Sequence, residues 1–161
     1  MEIRYATPRD LERIMEIEAL TFPAAEAATR EIFAYRIEHF SEWFFVALED
    51  SRVVGLLCAR PSAQRRMTDA LYEPAELPAG DTLALLSLET DPARQRRGVA
   101  AALIRHAIGK ARDAGMRALM LACKAPLAPY YEKFGFALLG ASASAHGGAS
   151  WLDMALALRR E

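Results

Sequence analysis

Two nearly uninterrupted apolar runs, TLALLSLET at 82–90 and MRALMLAC at 116–123, flank a stretch in which Val99, Leu103, Ile104, Ala107, Ile108 and Ala111 recur at helical spacing. Runs of this kind are what strands buried on both faces look like. The intervening residues predict a helix over 97–114 with one apolar face, ended by Gly115. A chain with this strand–helix–strand unit at its centre is committed to a sheet with helices packed against it.

The flanking sequence extends the pattern. Residues 2–6 alternate as a short strand. Thr7-Pro8-Arg9-Asp10 then reads as a helix start, with a capping hydroxyl, a proline suited to the first turn and an acid near the helix N-terminus. Leu11, Ile14 and Met15 give that helix its apolar face, and Phe22-Pro23 breaks it. A second helix is expected over 26–40. Residues 43–48 and 53–59 form an expected hairpin about the turn 49–52. Residues 61–81, with three prolines, read as a long loop. A short helix over 126–134 and strands at 136–139 and 151–158 complete the chain. The order β-α-α-β-β-β-α-β-α-β-β predicts an α/β fold (α+β in its mixed order): one mixed sheet of about seven strands with helices on both faces, in a single domain spanning 1–161.

Composition narrows the function. With 20 basic and 21 acidic residues among 161, the net charge is −1. No overall positive field is present to hold a nucleic acid, and none is expected as partner. The N-terminus MEIRYATPRD is charged from its second residue, so no signal peptide is expected. No apolar run approaches the ~20 residues of a membrane span. Cys58 and Cys123 each sit in apolar runs and read as buried free thiols rather than metal ligands, which points to a cytoplasmic location and no metal site.

The most informative segment is Gln95-Arg96-Arg97-Gly98-Val99-Ala100, between a buried strand and an amphipathic helix. A glycine there lets backbone approach a ligand closely, and the first N–H groups of a helix lack partners within it. Such a place suits a phosphate or pyrophosphate. The alternative is a solvated basic turn before an ordinary helix. The segment lacks the Gly-Lys-Ser/Thr ending of a Walker loop and the glycine spacing of a dinucleotide fingerprint.

Gln95-x-x-Gly98-x-Ala100 after LLSLETDP resembles the acetyl-coenzyme A signature of the GNAT N-acetyltransferase superfamily, and PYYEKFGF at 129–136 resembles that superfamily's second signature. Further segments (FPAAEAA, WFFVALED, LACKAPLAPYYEKFGF and SASAHGGASW) are similar to the serotonin, or arylalkylamine, N-acetyltransferase branch and its microbial relatives. The resemblance implies the GNAT fold with two splayed parallel central strands. It implies acetyl-CoA as co-substrate, the backbone N–H groups of Arg96, Gly98, Val99 and Ala100 holding pyrophosphate with Gln95 and Arg97 beside them, and Leu88, Glu89 and Thr90 alongside the pantetheine arm.

The same resemblance implies transfer of acetyl to the primary amine of a small molecule in a ternary complex, with Tyr131 as general acid. Ala84 and Leu86 stand where vertebrate enzymes of the branch carry two histidines, so that base is not carried over. Glu26, in FPAAEA, matches a segment where insect relatives carry a catalytic glutamate and is the expected base; its alternative is an ordinary acid in the first turn of the second helix. By strand parity the Glu89 side chain is expected to face away from Ala84 and Leu86. Phe22, Pro23, Phe33 and His146 are expected to bind the amine, with Ser142 and Ser144 shaping the same wall. The competing readings are a polyamine, amino-acid or protein N-terminal acetyltransferase, and a coenzyme-binding sensor without turnover. A homodimer is expected through the last strand, with Trp151, Leu152, Met154, Leu156 and Leu158.

Overall fold

A computed structural model describes residues 1–158. Seven strands, β1 (Glu2–Tyr5), β2 (Phe44–Glu49), β3 (Arg52–Ser62), β4 (Thr82–Thr90), β5 (Ala118–Cys123), β6 (Ala137–Ala141) and β7 (Leu152–Ala157), pair in the order β1-β2-β3-β4-β5-β7-β6. The helices are α1 (Leu11–Thr21), α2 (Arg30–His39), α3 (Val99–Asp113) and α4 (Ala128–Glu132). The expected element order and mixed sheet are present. Packing divides the chain into two compact units, residues 1–59 with 87–107 and residues 60–86 with 108 onward.

In the first unit the β2–β3 hairpin turns on Asp50 and Ser51, both at positive φ (49° and 65°). That is the geometry whose twist matches flanking antiparallel strands. Phe33, Phe44, Phe45, Ile14, Ile17, Leu56 and Leu57 are fully buried around it. Strand alternation puts helices on both faces of β3. Gly55 lies under α3, whereas Cys58, three residues on, receives an N–H of Arg36 from α2 at 3.4 Å. A Cβ on Gly55 would stand 2.6 Å from Val99 Cγ1 and 3.0 Å from the Glu89 carbonyl oxygen, so α3 lies closer to the sheet than any side chain would permit.

In the second unit β4 and β5 run parallel, but their ladder covers only Thr82↔Ala118, Leu83↔Leu119 and Ala84↔Met120. On its other edge β5 pairs with β7 along its whole length, from Ala118 to Cys123. Residues 121–123 therefore keep one hydrogen-bonding edge outside the β4 ladder. Segment 61–81 is more ordered than its prolines suggest. Strand β3 runs on to Ser62, and a 3-10 turn covers Asp69–Tyr72. Met67 and Leu71 are buried with Ala84 and Met120. Arg60, itself buried, donates to the carbonyls of Leu71, Glu73 and Ala75 at 3.1, 3.3 and 2.8 Å.

Several boundaries differ from expectation. The second helix starts at Arg30 rather than 26, because Thr29 caps it by accepting the Ile32 N–H at 3.3 Å and the preceding residues form a separate turn. The central helix begins at Val99 because positive φ at Arg96 (65°) and Gly98 (79°) keeps both out of helical geometry. The strand expected over 116–123 begins at Ala118, since Met116 N–H closes the end of α3 on the Ala111 carbonyl. The stretch 126–134 resolves into a 3-10 turn and the short α4. The last strand is not available to a second subunit: β7 lies between β5 and β6, with both edges taken.

The Gly55 contact generates a stability prediction. Gly55→Ala should destabilise the chain by about 1–3 kcal/mol through overpacking, read as a lower urea midpoint. An unchanged midpoint would mean that α3 yields without cost.

Candidate active site

The first unit carries the turn at residues 95–98 that leads into α3. Asp91, at the end of β4, fixes it from three sides. Its backbone N–H bonds the Val54 carbonyl at 2.8 Å, its carboxylate caps the Ala93 N–H at 3.0 Å, and Arg13 of α1 reaches it at 2.5 Å while also donating to the Val53 carbonyl. The cap and the arginine hold the Asp91 carboxyl below its ordinary pKa. Beyond a 3-10 turn at Pro92–Arg94, residues 95–98 are exposed. Arg96 holds a left-handed conformation that costs a non-glycine residue roughly 1–2 kcal/mol, which marks a turn shaped by something other than its own stability. At the start of α3 the Ala102 N–H bonds the Gly98 carbonyl, so the N–H groups of Val99, Ala100 and Ala101 precede any helical acceptor. A Cβ placed on Gly98 meets nothing within 4 Å. The turn is thus an open cradle of backbone N–H groups suited to a phosphate. The expected Arg97 is partly engaged, since it and the neighbouring Arg94 approach Glu49 at 3.7 and 3.2 Å.

The same unit holds a turn between α1 and α2. Glu26 lies in it, half-buried, with its N–H on the Pro23 carbonyl at 2.9 Å. It is therefore not an acid of the second helix. Phe22 is half-buried and Pro23 exposed, whereas Phe33 is fully buried and packs on Phe44 at 6.1 Å. Phe33 belongs to the core because helix α2 turns that face inward, and the structure removes it from an accessible wall.

Beneath this turn is a buried polar cluster that strand parity alone does not reveal. Glu89 is 2% exposed and Glu18 and Arg36 are 3% exposed. Arg36 donates to Cys58 Sγ and, at 3.1 Å, to Ser87 Oγ. Glu18 lies alongside Glu89, but among the described residues neither Glu89 oxygen meets a partner in hydrogen-bonding geometry. Burial raises the Glu89 pKa well above the ordinary range; the Glu18 carboxyl and then Cys58 push it further, against a smaller opposing pull from Arg36. Burial likewise pushes the Cys58 thiol up. The Glu89 side chain is a core acid, so any contact it makes with a coenzyme arm is through its backbone.

The second unit carries Tyr131. Helix α4 presents it edge-on to Tyr130 (5.5 Å) and Phe136 (6.0 Å). Burial, then Cys123, Tyr130 and Tyr72, raise its pKa far above that of an ordinary tyrosine. The hydroxyl is held as a phenol. Burial also raises the pKa of Cys123. His146 stacks on Tyr72 (5.4 Å, 22°) and lies 6.2 Å from Trp151, whose indole N–H donates to the His146 carbonyl at 2.9 Å. Lys124 stands over the Trp151 ring at 5.6 Å. Ser142 Oγ accepts the Ser144 N–H, and the buried Ser144 donates its hydroxyl to Asp69 at 2.6 Å. These two serines hold the loop in shape. Ala84 and Leu86 pack among Met67, Leu71 and Met120 and carry no titrating group.

Sequence reasoning passed over Glu18, Arg36, Tyr72 and Trp151 as site-forming residues. For Glu18 the signal was an acid at a core position of α1, beside Ile14 and Ile17. For Tyr72 there was none, because its partner His146 lies far along the chain.

A family model described as acetyltransferase (GNAT) family matches residues 11–136. The chain belongs to that family of acyl-CoA-dependent N-acetyltransferases, which use acetyl-CoA as co-substrate. Serotonin N-acetyltransferase of Mesocricetus auratus is 27% identical over 169 residues, covering 98% of this chain and 78% of that protein. The fold is shared with GphF, a GNAT-like decarboxylase in complex with isobutyryl-CoA (TM-score 0.82, 20% identity, 99% of this chain and 100% of that one). It is shared too with the loading GNATL domain of CurA from Lyngbya majuscula (TM-score 0.84, 12% identity, 97% and 96%). Among the described residues no helix is long and apolar enough to cross a membrane.

The buried acid yields a pH prediction. Unfolding returns Glu89 to the ordinary carboxylate range, so the folded chain binds more protons and its stability falls as pH rises. That contribution is complete below the unfolded value of about 4.3 and is lost on the way up through the raised folded value. Glu89→Gln should remove this loss, with Glu18, Arg36 and Cys58 left in place. Urea unfolding of both proteins from pH 4 to 8 should show the variant gaining on the wild type as pH rises; parallel curves would place Glu89 at an ordinary pKa.

Proposed function

We propose that this chain transfers the acetyl group of acetyl-CoA to the primary amine of a small molecule in a ternary complex, with Tyr131 as general acid and Glu26 as base. The observation that carries the reading is a tyrosine at the family's signature position whose surroundings keep its proton on. Acetyl-CoA, when bound, supplies the activated acyl group and a thiolate leaving group.

The chain's own residues do the rest. N–H groups of the 96–100 cradle, with Gln95 and Arg97 at its rim, hold the pyrophosphate. The backbone of Leu88, Glu89 and Thr90 offers hydrogen bonds to the pantetheine arm as an edge strand would. Glu26 accepts the ammonium proton through water, freeing the nitrogen lone pair to attack the thioester carbonyl. As the C–S bond breaks, the Tyr131 phenol gives its proton to the departing sulfur, and the second proton shed by the acylated nitrogen restores the phenol through water. A raised phenol pKa weakens it as an acid in water, but a thiolate emerging against the same dry surroundings is also more basic. Cys123, whose own pKa burial raises, illustrates this for a thiol of this unit. Donor and acceptor shift together, and the hydrogen bond stays matched.

An aryl or arylalkyl amine is the favoured acceptor. The rings of Tyr72, His146 and Trp151 form a half-buried aromatic group on which a second aromatic plane can stack.

The test is coenzyme A release across tryptamine, phenylethylamine, spermidine, free amino acids and a short peptide. Turnover confined to the aryl amines is expected. Turnover elsewhere would move the substrate, and failure to bind acetyl-CoA at all would sink the proposal. Tyr131→Phe should lower kcat by about 10²-fold or more with acetyl-CoA affinity kept; an unchanged kcat would remove Tyr131 as the acid.

A further inference from the structure

We infer that Glu18 is a positioning residue for acetyl transfer: it closes the 22–28 turn at both ends and so holds Glu26 in place. The inference rests on the reading of Glu26 as base.

The geometry is local and complete. The backbone carbonyl of Glu18 accepts the N–H of Phe22 at 3.0 Å, where α1 ends. The side chain of the same residue turns across the gap, and its Oε2 accepts the N–H of Ala28 at 2.7 Å. Between these anchors the turn satisfies itself, with Glu26 and Ala27 N–H groups both on the Pro23 carbonyl at 2.9 and 3.0 Å. Thr29 then caps α2. The Ala28 bond ties the far end of the turn back to α1 two residues from Glu26, and just beyond it Arg30 of α2 pairs with Glu12 of α1.

The position is one where a carboxyl is costly. Glu18 is buried on the apolar face of α1 between Ile14, Ile17 and the sheet, next to the equally buried Glu89 and Arg36. An apolar residue would pack there without that cost. What only a side-chain acceptor of this length provides is a directed bond to one loop N–H. Glu89 lies alongside Glu18 on the sheet side, while Oε2 of Glu18 is directed to Ala28.

Three variants separate this role from a merely structural one. Glu18→Gln keeps an oxygen acceptor at the same reach and should keep the Ala28 bond. Glu18→Asp keeps the carboxyl but is one methylene short, and Glu18→Ala removes it. The expected result is that Asp and Ala speed hydrogen exchange of the Ala28 amide about tenfold, the order of one lost hydrogen bond. They should also lower kcat for the amine with acetyl-CoA affinity unchanged, while Gln stays near wild type in both. Wild-type Ala28 exchange in Glu18→Asp would overturn the inference, as would a loss in Glu18→Gln equal to that in Glu18→Asp. If Glu18→Ala does not fold, the Asp and Gln pair alone decides. Glu26→Gln in the same assay keeps the two ideas apart: wild-type turnover there removes the base, whereas Ala28 exchange still reports whether Glu18 closes the turn.

Discussion

The geometry of the turn before α3 rests on one carboxylate. Asp91 binds a backbone N–H ahead of it, receives a guanidinium from α1, and bonds through its own N–H to β3. Strand end, hairpin and first helix therefore meet at a single residue immediately before the turn that leads to α3. A cradle of N–H groups is useful only if those groups are fixed before the anion arrives, since ordering them on binding would consume the affinity gained. Asp91 sets where the turn starts, and Gly55 sets how closely α3 approaches the sheet after it. The strained backbone at Arg96 is tolerated between two such fixed points.

Much of the fold was legible because its signals are local. The apolar run 82–90 is strand β4 residue for residue; Gly115 ends α3 at positive φ as a C-terminal glycine should; and the hairpin turn falls on Asp50-Ser51. What could not be read depends on partners distant in sequence. Segment 61–81 looked like an unanchored loop, since nothing near it announces that Arg60 collects three of its carbonyls or that Met67 and Leu71 fill a space left by the small Ala84. The start of α2 was misplaced because Glu26 and Glu31 are equally good first-turn acids, and only the Thr29 cap chooses between them. The last strand was assigned an edge because chain end and sheet edge are easily confused, whereas β6 takes that place.

At the candidate site the same division holds. Gln95, Gly98 and Tyr131 were visible as a spaced pattern. The state of Tyr131 was not, because it is set by burial near Cys123 and Tyr72, two side chains 8 and 59 positions away. Glu89 shows the reverse case. Its place on the strand was evident, but its neighbours Glu18, Arg36 and Cys58 come from three different elements, and it is they that make it a core acid rather than a site group.

The two thiols have a practical consequence. Cys58 and Cys123 are both buried, unpaired with each other, and less acidic than a free cysteine. A thiol that rarely ionises and rarely meets solvent reacts slowly with oxidants and alkylating agents. The native chain should therefore withstand air and iodoacetamide without added reductant. Because one cysteine lies in each compact unit, the rate at which each takes up a label becomes a built-in clock for the opening of its own half.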